Sequence, residues 1–545
     1  MQRFPLIVAL AMFACGPSPR PEPAAPRPPD PMANPTQPEA PMPLPATFPT
    51  QTATPQELAF PTEDFRAQQP AAGAPRQLKL PKMKTFALKN GVKVYLVEQH
   101  TLPIVSLDLN FEGGSLTDPK GKDGLASLCM GMLTEGTDKL DKIQYAEALA
   151  DVASSISAYA TDDSAGLSLS SLSKHLGPTF EQFAATLQTP AFRPSDFDRM
   201  VKRRIESVRQ AKGNPGSVAN RVNGAVLFGP EHPFGSVTTE ASLQAITIDD
   251  CKQYVSTYFK PGNAKLFVVG DLTEAQVRQY FEKGELAAWK GGAPKLPVLA
   301  APKTMTGRIF FVHIKGAAQS QVSMLHFGPK RVVPDYFANA MMASVFGGSF
   351  SSRINMNLRE DKGYSYGARG GFSYTKQYGS FQASAGVRTD ATYQTLLEVD
   401  REVKELWAGK RPIDKDELDR EKQGAILGLP GAFATGQAAL GQYRRLVYYG
   451  LPLDYYDSYV AKVGQVNEAQ LKAAAAKHLR PGQAVYLVVG DGDAPMVVRE
   501  GKADVPYKKG DKQLTLREAL ADLAARGDVG TGGLVELDTD GRPKR

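Results

Sequence analysis

Six histidines lie far apart along the chain, at His100, His175, His232, His313, His326 and His478. A zinc peptidase helix sets two imidazoles on one face at i and i+4, with a carboxylate between them to take a proton from the metal-bound water. No two histidines here stand within five residues of one another, so no single helix can present that pair. No Ser-His-Asp or Cys-His motif is evident either, which argues against a hydrolase working through other residues. Of the three cysteines, Cys15 closes an N-terminal apolar run, and Cys129 and Cys251 are too few for a disulfide framework. On that count the fold must rest on its core.

The elements that would position any chemistry begin well into the chain. MQRFPLIVALAMFAC combines Arg3 with an apolar run too short to span a bilayer, and reads as an export signal over residues 1–15. Ala14 before Cys15 and Gly16 after it resemble a bacterial lipoprotein cleavage site, with Met12 where Leu is usual. Cys15 is then the expected lipidation site and the bacterial cell envelope, at the outer membrane, the expected location. An ordinary cleaved signal or a short N-terminal anchor are the alternatives. Residues 16–75 hold 18 prolines, a composition that cannot bury a core and reads as a tether. The 64 Lys and Arg against 57 Asp and Glu give a formal +7 over 545 residues. That is a weak field with no basic run or interleaved aromatics, which argues against nucleic acid as partner.

Order is expected from about Lys79. Asn90-Gly91 between two runs rich in Val, Leu and Tyr predicts a hairpin. Val105, Leu107, Leu109 and Phe111 then alternate with Ser106, Asp108 and Asn110, the pattern of a strand with one buried face. KPGNAKLFVVGD at 260–271 matches RPGQAVYLVVGD at 480–491 in seven of twelve positions, at an offset of 220, and VSLDLNF at 105–111 resembles VSMLHF at 322–327, at 217. Two matches in order at nearly one offset indicate a duplicated domain. With helices expected at Ser195 to Lys212 and Glu468 to Leu479, the fold class is α+β: two duplicated domains, each a mostly antiparallel sheet with helices on one face. The predicted boundaries are 76–290 for the first domain, 291–304 for a Gly/Pro linker, 305–505 for the second domain and 506–545 for a polar tail, in which LTLREALADLAARG could form one helix.

The frame GLA.....ML..GT at 124–137, following EGGSLTDP, resembles the zinc helix of the pitrilysin, insulinase and mitochondrial-processing-peptidase superfamily. There the five central residues are His-x-x-Glu-His. Here Ser127 and Gly131 occupy the histidine positions and Met130 the glutamate position, so all three chemically required residues are missing. Glu206 stands near the place of that family's later acidic ligand, but one carboxylate does not hold zinc. Read by itself, the helix carries an apolar stripe of Leu125, Leu128, Met132 and Leu133, with Ser127 and Gly131 forming a small-residue face for close packing.

The resemblance continues in FGGSFSSRINMNLREDKGYSYGA at 346–368, where the family's second domain supplies an Arg and a Tyr that hold substrate backbone. Arg359 and Tyr366 match them: a guanidinium offers a fork of donors and a phenol one directed donor, which suits a peptide carbonyl. The competing reading pairs Arg359 with Glu360 or Asp361 on the surface and makes Tyr366 sheet filler. Gly347-Gly348 suits a tight, mobile turn. What the resemblance implies is a non-catalytic, substrate-binding subunit with no cofactor of its own. Its partner is a related zinc-bearing peptidase chain, its substrate a peptide or unfolded segment, and its membrane contact a lipid anchor. The alternative is a stand-alone binding or scaffolding lipoprotein.

Overall fold

The computed structural model describes residues 63–67, 80–302 and 306–544; the export segment, Cys15 and most of the tether lie outside them. Within the unit Val8–Arg76 the described part is one 3-10 turn, Asp64–Ala67. Everything below concerns the larger unit.

Its first half runs β1 (Lys84–Ala87), β2 (Lys93–Glu98), β3 (Ile104–Glu112), α1 (Leu125–Met132), α2 (Lys142–Ala150), β4 (Ser155–Ala160), β5 (Ser164–Leu172), α3 (Leu176–Gln188), α4 (Pro194–Lys212), α5 (Pro215–Phe228), α6 (Glu240–Gln244), α7 (Ile248–Tyr258), β6 (Ala264–Gly270) and α8 (Glu274–Arg278). The second runs β7 (Ile309–His313), β8 (Gln319–Gly328), α9 (Tyr336–Gly347), α10 (Arg353–Asn355), β9 (Ser365–Tyr374), β10 (Gly379–Arg388), α11 (Thr392–Trp407), α12 (Lys415–Gly428), α13 (Gly436–Tyr449), α14 (Tyr459–Gly464), α15 (Glu468–His478) and β11 (Val485–Gly490). Two small hairpins follow, β12–β13 (Val497–Glu500 with Ala503–Pro506) and β14–β15 (Lys508–Lys509 with Lys512–Gln513), then α16 (Leu516–Arg526) and β16 (Leu534–Leu537).

Each half builds a six-stranded sheet, ordered β1-β2-β6-β3-β5-β4 and β16-β7-β11-β8-β10-β9, mostly antiparallel, with β2–β6, β7–β11 and β7–β16 parallel. The hairpin forms at Asn90-Gly91, with Gly91 at φ +91, a backbone that favours glycine. The duplication is structural. Leu107 faces Val268 and Val322 faces Val488, so β3 and β8 correspond at an offset of 215. The VSLDLNF match at 217 is two residues out of register, and because two is even it still places the inward side chains on the inward face.

Neither sheet leaves its second face to water. Val94, Leu96, Leu266 and Val268 point into the first half's own helical core, while Tyr95, Val97, Phe267 and Val269 pack against Ala439, Leu440 and Tyr443 of α13, a helix of the other half. Reciprocally, Phe310, Val312, Leu487 and Val489 pack against Val218, Val222 and Val226 of α5. The alternation in β3 therefore does not mark a solvent face: Ser106 and Asp108 are buried beneath α13. A Cβ on Gly436 would lie 2.9 Å from the Ser106 hydroxyl, so glycine permits that approach. Arg444 of α13 donates to Asp108 at 3.0 Å and to the Tyr159 hydroxyl at 2.6 Å, and Tyr159 donates to Asp108 at 3.0 Å. Burial raises the Asp108 carboxyl and the Arg444 guanidinium opposes that rise. Nearby, Glu112 of β3 pairs with Lys265 and, across the halves, with Lys376, each at 2.8 Å.

Two expectations are corrected. Residues 506–544 are not a polar tail: α16 buries Leu516, Ala519, Leu520 and Leu523 in the second core. β16 pairs with β7, taking in its sheet the edge place that β1 holds in the other. Asp540 beyond it bridges Lys212 of α4 (2.8 Å) and Arg221 of α5 (2.9 Å). Nor does the fold rest on its core alone: Cys129 and Cys251 form a disulfide across a sequence separation of 122, because α1 packs directly on α7.

Candidate functional site

Helix α1 begins at Gly124, whose φ of +101 is left-handed and favours glycine. The Asp118 carboxylate accepts hydrogen bonds from the Gly124 and Ala126 N–H groups at 2.8 and 2.9 Å, satisfying donors that a helix start leaves open. Burial pushes this carboxyl up to about 7, with Asp123 adding to the rise and the N–H donors opposing it. The helix buries Leu125, Ala126, Leu128, Cys129, Met130 and Met132, so Met130 is core. Ser127 and Gly131 stay half-buried, one turn apart.

Across from them runs α4. A Cβ on Gly131 would lie 3.0 Å from the Met200 sulfur and 3.6 Å from Arg204 Nη2, and that nitrogen donates to the Ser127 carbonyl at 3.4 Å. Beside the positions where the resemblance puts imidazoles, the chain thus places a thioether and a guanidinium. Zinc takes thiolate, imidazole or carboxylate donors. Ser127, Met130, Gly131, Met200 and Arg204 offer none, and the guanidinium repels a dication. The residues do not fit zinc. Glu206, two residues beyond Arg204, is half exposed and paired with Arg209 at 2.6 Å.

One other group among the described residues has the composition of a metal site: His313, Asp491 and Asp493. Sequence reading missed it, since the three come together only where β7 and β11 end side by side. His313 Nδ1 accepts from the Gly492 N–H at 2.9 Å, and Asp491 accepts from the N–H groups of Gly316 and Asp493. With Nδ1 accepting, the neutral ring keeps its proton on Nε2, which leaves no free ring lone pair for a metal. The group closes a turn. The first half closes its own turn alike, with Asp271 of the repeated VVGD bonded to His100 at 2.7 Å.

In the second half α9 ends at Gly347-Gly348. A Cβ on Gly347 would lie 2.2 Å from the Gly370 nitrogen, so helix and β9 meet at backbone contact. The Ser344 and Ser349 hydroxyls both donate to Glu421 of α12, at 2.5 and 2.8 Å. The glycine pair is therefore a pinned helix end rather than a loose turn. The chain then passes through a π-helical turn, Met356–Asp361, which carries Arg359. Its guanidinium lies 4.6 Å from the centroid of the Phe350 ring, and its Nε is 3.2 Å from Glu360. Tyr366, near the start of the edge strand β9, is 89% exposed and fills nothing in the sheet. Phe350 and Met356 are exposed on the same segment. Ser127, Met130 and Gly131 thus gather at one helix contact in the first half, and Arg359 and Tyr366 occupy an exposed segment of the second. Arg204 was not foreseen; its one signal is its place on α4 one turn after Met200, within a helix rich in charge.

Residues 93–225 match the family described as Insulinase (Peptidase family M16), and residues 245–425 that described as Peptidase M16 inactive domain. The protein named non-peptidase homolog YmxG, from Helicobacter pylori, is 22% identical over 410 residues, 73% of this chain and 92% of that protein. Zinc protease PqqE of the same organism is 24% identical over 293 residues, 52% of this chain and 65% of that protein. The crystal structure of a peptidase M16 inactive domain from Pseudomonas fluorescens superposes with a TM-score of 0.68 at 27% identity, over 75% of this chain and 98% of that one. With its missing His-x-x-Glu-His set and two pseudo-equivalent halves, the chain belongs to the M16 insulinase peptidase family as a non-catalytic member of the inactive type.

Proposed function

We propose that the chain is the substrate-binding subunit of a two-chain zinc metallopeptidase of the cell envelope, with zinc held by a related partner chain. The observation that carries this reading is the exposed segment of the second half. Arg359 and Tyr366 are not consumed by the core; Tyr366 is almost wholly free of the fold. A guanidinium and a phenol so presented can donate to the carbonyls of a peptide lying along β9, where an edge strand leaves backbone groups unpaired. The chain's own first half, with a thioether and a guanidinium beside Ser127 and Gly131, does not fit the metal, so the metal comes from the partner. The buried Cys129–Cys251 disulfide supports maturation in an oxidising compartment, in keeping with export and a lipid anchor at Cys15. No helix among the described residues is long and apolar enough to cross a membrane.

The test is to isolate the assembly from its native envelope and compare zinc content and peptide hydrolysis with those of the pure chain. Zinc and activity are expected only in the assembly. Arg359→Ala and Tyr366→Ala in that assembly should each lower kcat/KM by about tenfold or more, the scale of a lost charged or directed hydrogen bond in a desolvated site, with assembly intact. Unchanged turnover in both variants, or an assembly without a zinc-bearing relative, overturns the reading in favour of a stand-alone binding lipoprotein.

A further inference from the structure

We propose that the surface where α4 meets α1 binds a carboxylate, with Arg204 as its cation: the acidic side chain or the C-terminal carboxylate of a peptide. The choice of a peptide as the source rests on the function proposed above; the cation does not. Three other cations of α4 have partners. Arg199 pairs with Glu135 and Asp196, Arg209 with Glu206, and Lys212 with Glu240 and Asp540. Arg204 pairs with no carboxylate among the described residues. Its five N–H donors share one long bond, 3.4 Å to the Ser127 carbonyl. Lys202 and Arg203 beside it are exposed, whereas Arg204 is half-buried, and burial together with Arg203 works against its charge. A cation so placed gains from an anion more than an exposed one does.

Arg204 is only half-buried, so an anion can reach its guanidinium from solvent. On the α1 side Gly131 presents no side chain to it, and the flexible Met200 thioether, 3.0 Å from where a Gly131 Cβ would lie, borders it there. Ser127, whose carbonyl Arg204 touches, has a hydroxyl that makes no hydrogen bond among the described residues. A planar guanidinium fork matches the two oxygens of a carboxylate.

The experiment uses the full chain and three fluorescent peptides of one sequence, read by anisotropy: a free C-terminus, an amidated C-terminus with an internal Glu, and an amidated C-terminus with Gln in its place. Either carboxylate peptide should bind about tenfold more tightly than the neutral one. Arg204→Met should reduce that preference to within about twofold without changing neutral-peptide binding or thermal unfolding, and Arg204→Lys should keep part of it. The free-terminus and Glu arms tell the two sources apart. A preference that survives Arg204→Met, or neutral peptides binding as well as acidic ones, overturns this inference and leaves the peptide-binding subunit reading standing. If no peptide binds at about 1 mM, that reading falls instead, and Arg204 is then judged alone. Acetate, but not acetamide, should protect it from phenylglyoxal modification read by mass spectrometry, and equal modification in both overturns the site.

Discussion

Helices α1 and α9 hold corresponding places in the two halves, each against its own edge strand and a later helix, yet they are fastened in different ways. Helix α1 is joined to α7 by a buried disulfide, capped by Asp118 and closed on its small-residue face by Met200 and Arg204. Helix α9 is held without a covalent link: Asp335 at its start reaches Lys477 and His478 of α15, each at 2.8 Å, and Glu421 holds its end. Beyond that pinned end the chain presents Phe350, Arg359 and Tyr366 outward. The first helix spends its side chains on core and cross-link, while the second is a strut for a segment whose polar and aromatic groups face away from the fold.

The contrast holds only while the halves remain clasped, so the largest effect is expected from the clasp. Arg444→Met leaves Asp108 buried without its cation and should cost about 3–5 kcal/mol in urea unfolding. Adding Asp108→Asn should recover much of that. A loss under about 1 kcal/mol would mean that α13 is held by its apolar face alone. Next comes the covalent fastening. Cys129→Ala with Cys251→Ala should lower stability by about 2–4 kcal/mol, with faster amide exchange concentrated in α1 and α7. Exchange that quickens equally in α9 and α15 would show the two halves unfolding as one unit and dissolve the distinction.

Local signals in the sequence reached far into this fold, and distance set their limit. The Asn90-Gly91 hairpin and the VVGD repeat are short-range patterns, and both stand. The match of β3 to β8 slipped by two residues because a period-two pattern cannot detect an even shift. Asp108 read as a solvent-side residue because the helix that buries it comes more than 300 positions later, at Arg444. The pairing of Cys129 with Cys251 and the strand Leu534–Leu537, four residues long, were hidden for the same reason. At the candidate site, the missing ligands were legible in Ser127, Met130 and Gly131, but the group that stands beside them, Arg204, was one charge among many on α4.

Acid should loosen the clasp by a smaller amount. Burial raises the Glu112 carboxyl, but Lys265 and Lys376 together outweigh it and hold it down at about 2. A carboxylate depressed in the folded state contributes stability in full above its unfolded value near 4.5, and loses it as pH falls from there toward 2. Because the group is partly open to solvent, the contribution is about 1 kcal/mol. Glu112→Gln should flatten the stability profile in that window, and an unaltered slope would assign the acid sensitivity to other carboxylates.

The smallest effect is the sharpest test of the first half. Glu206 is the one residue near a ligand place of the resembled zinc site that has a metal-binding group, yet here it sits on the surface against Arg209. An exposed i,i+3 pair of this kind is worth well under 1 kcal/mol. Glu206→Gln should therefore change urea stability by no more than about 0.5 kcal/mol, and added zinc should shift the melting of the native chain and the variant equally. A zinc-dependent rise in melting temperature that Glu206→Gln abolishes would mean that this carboxylate holds metal together with donors outside α1, since Ser127, Met130 and Gly131 supply none. The first half would then carry chemistry of its own, and the contrast with α9 would no longer set a spent helix against a strut.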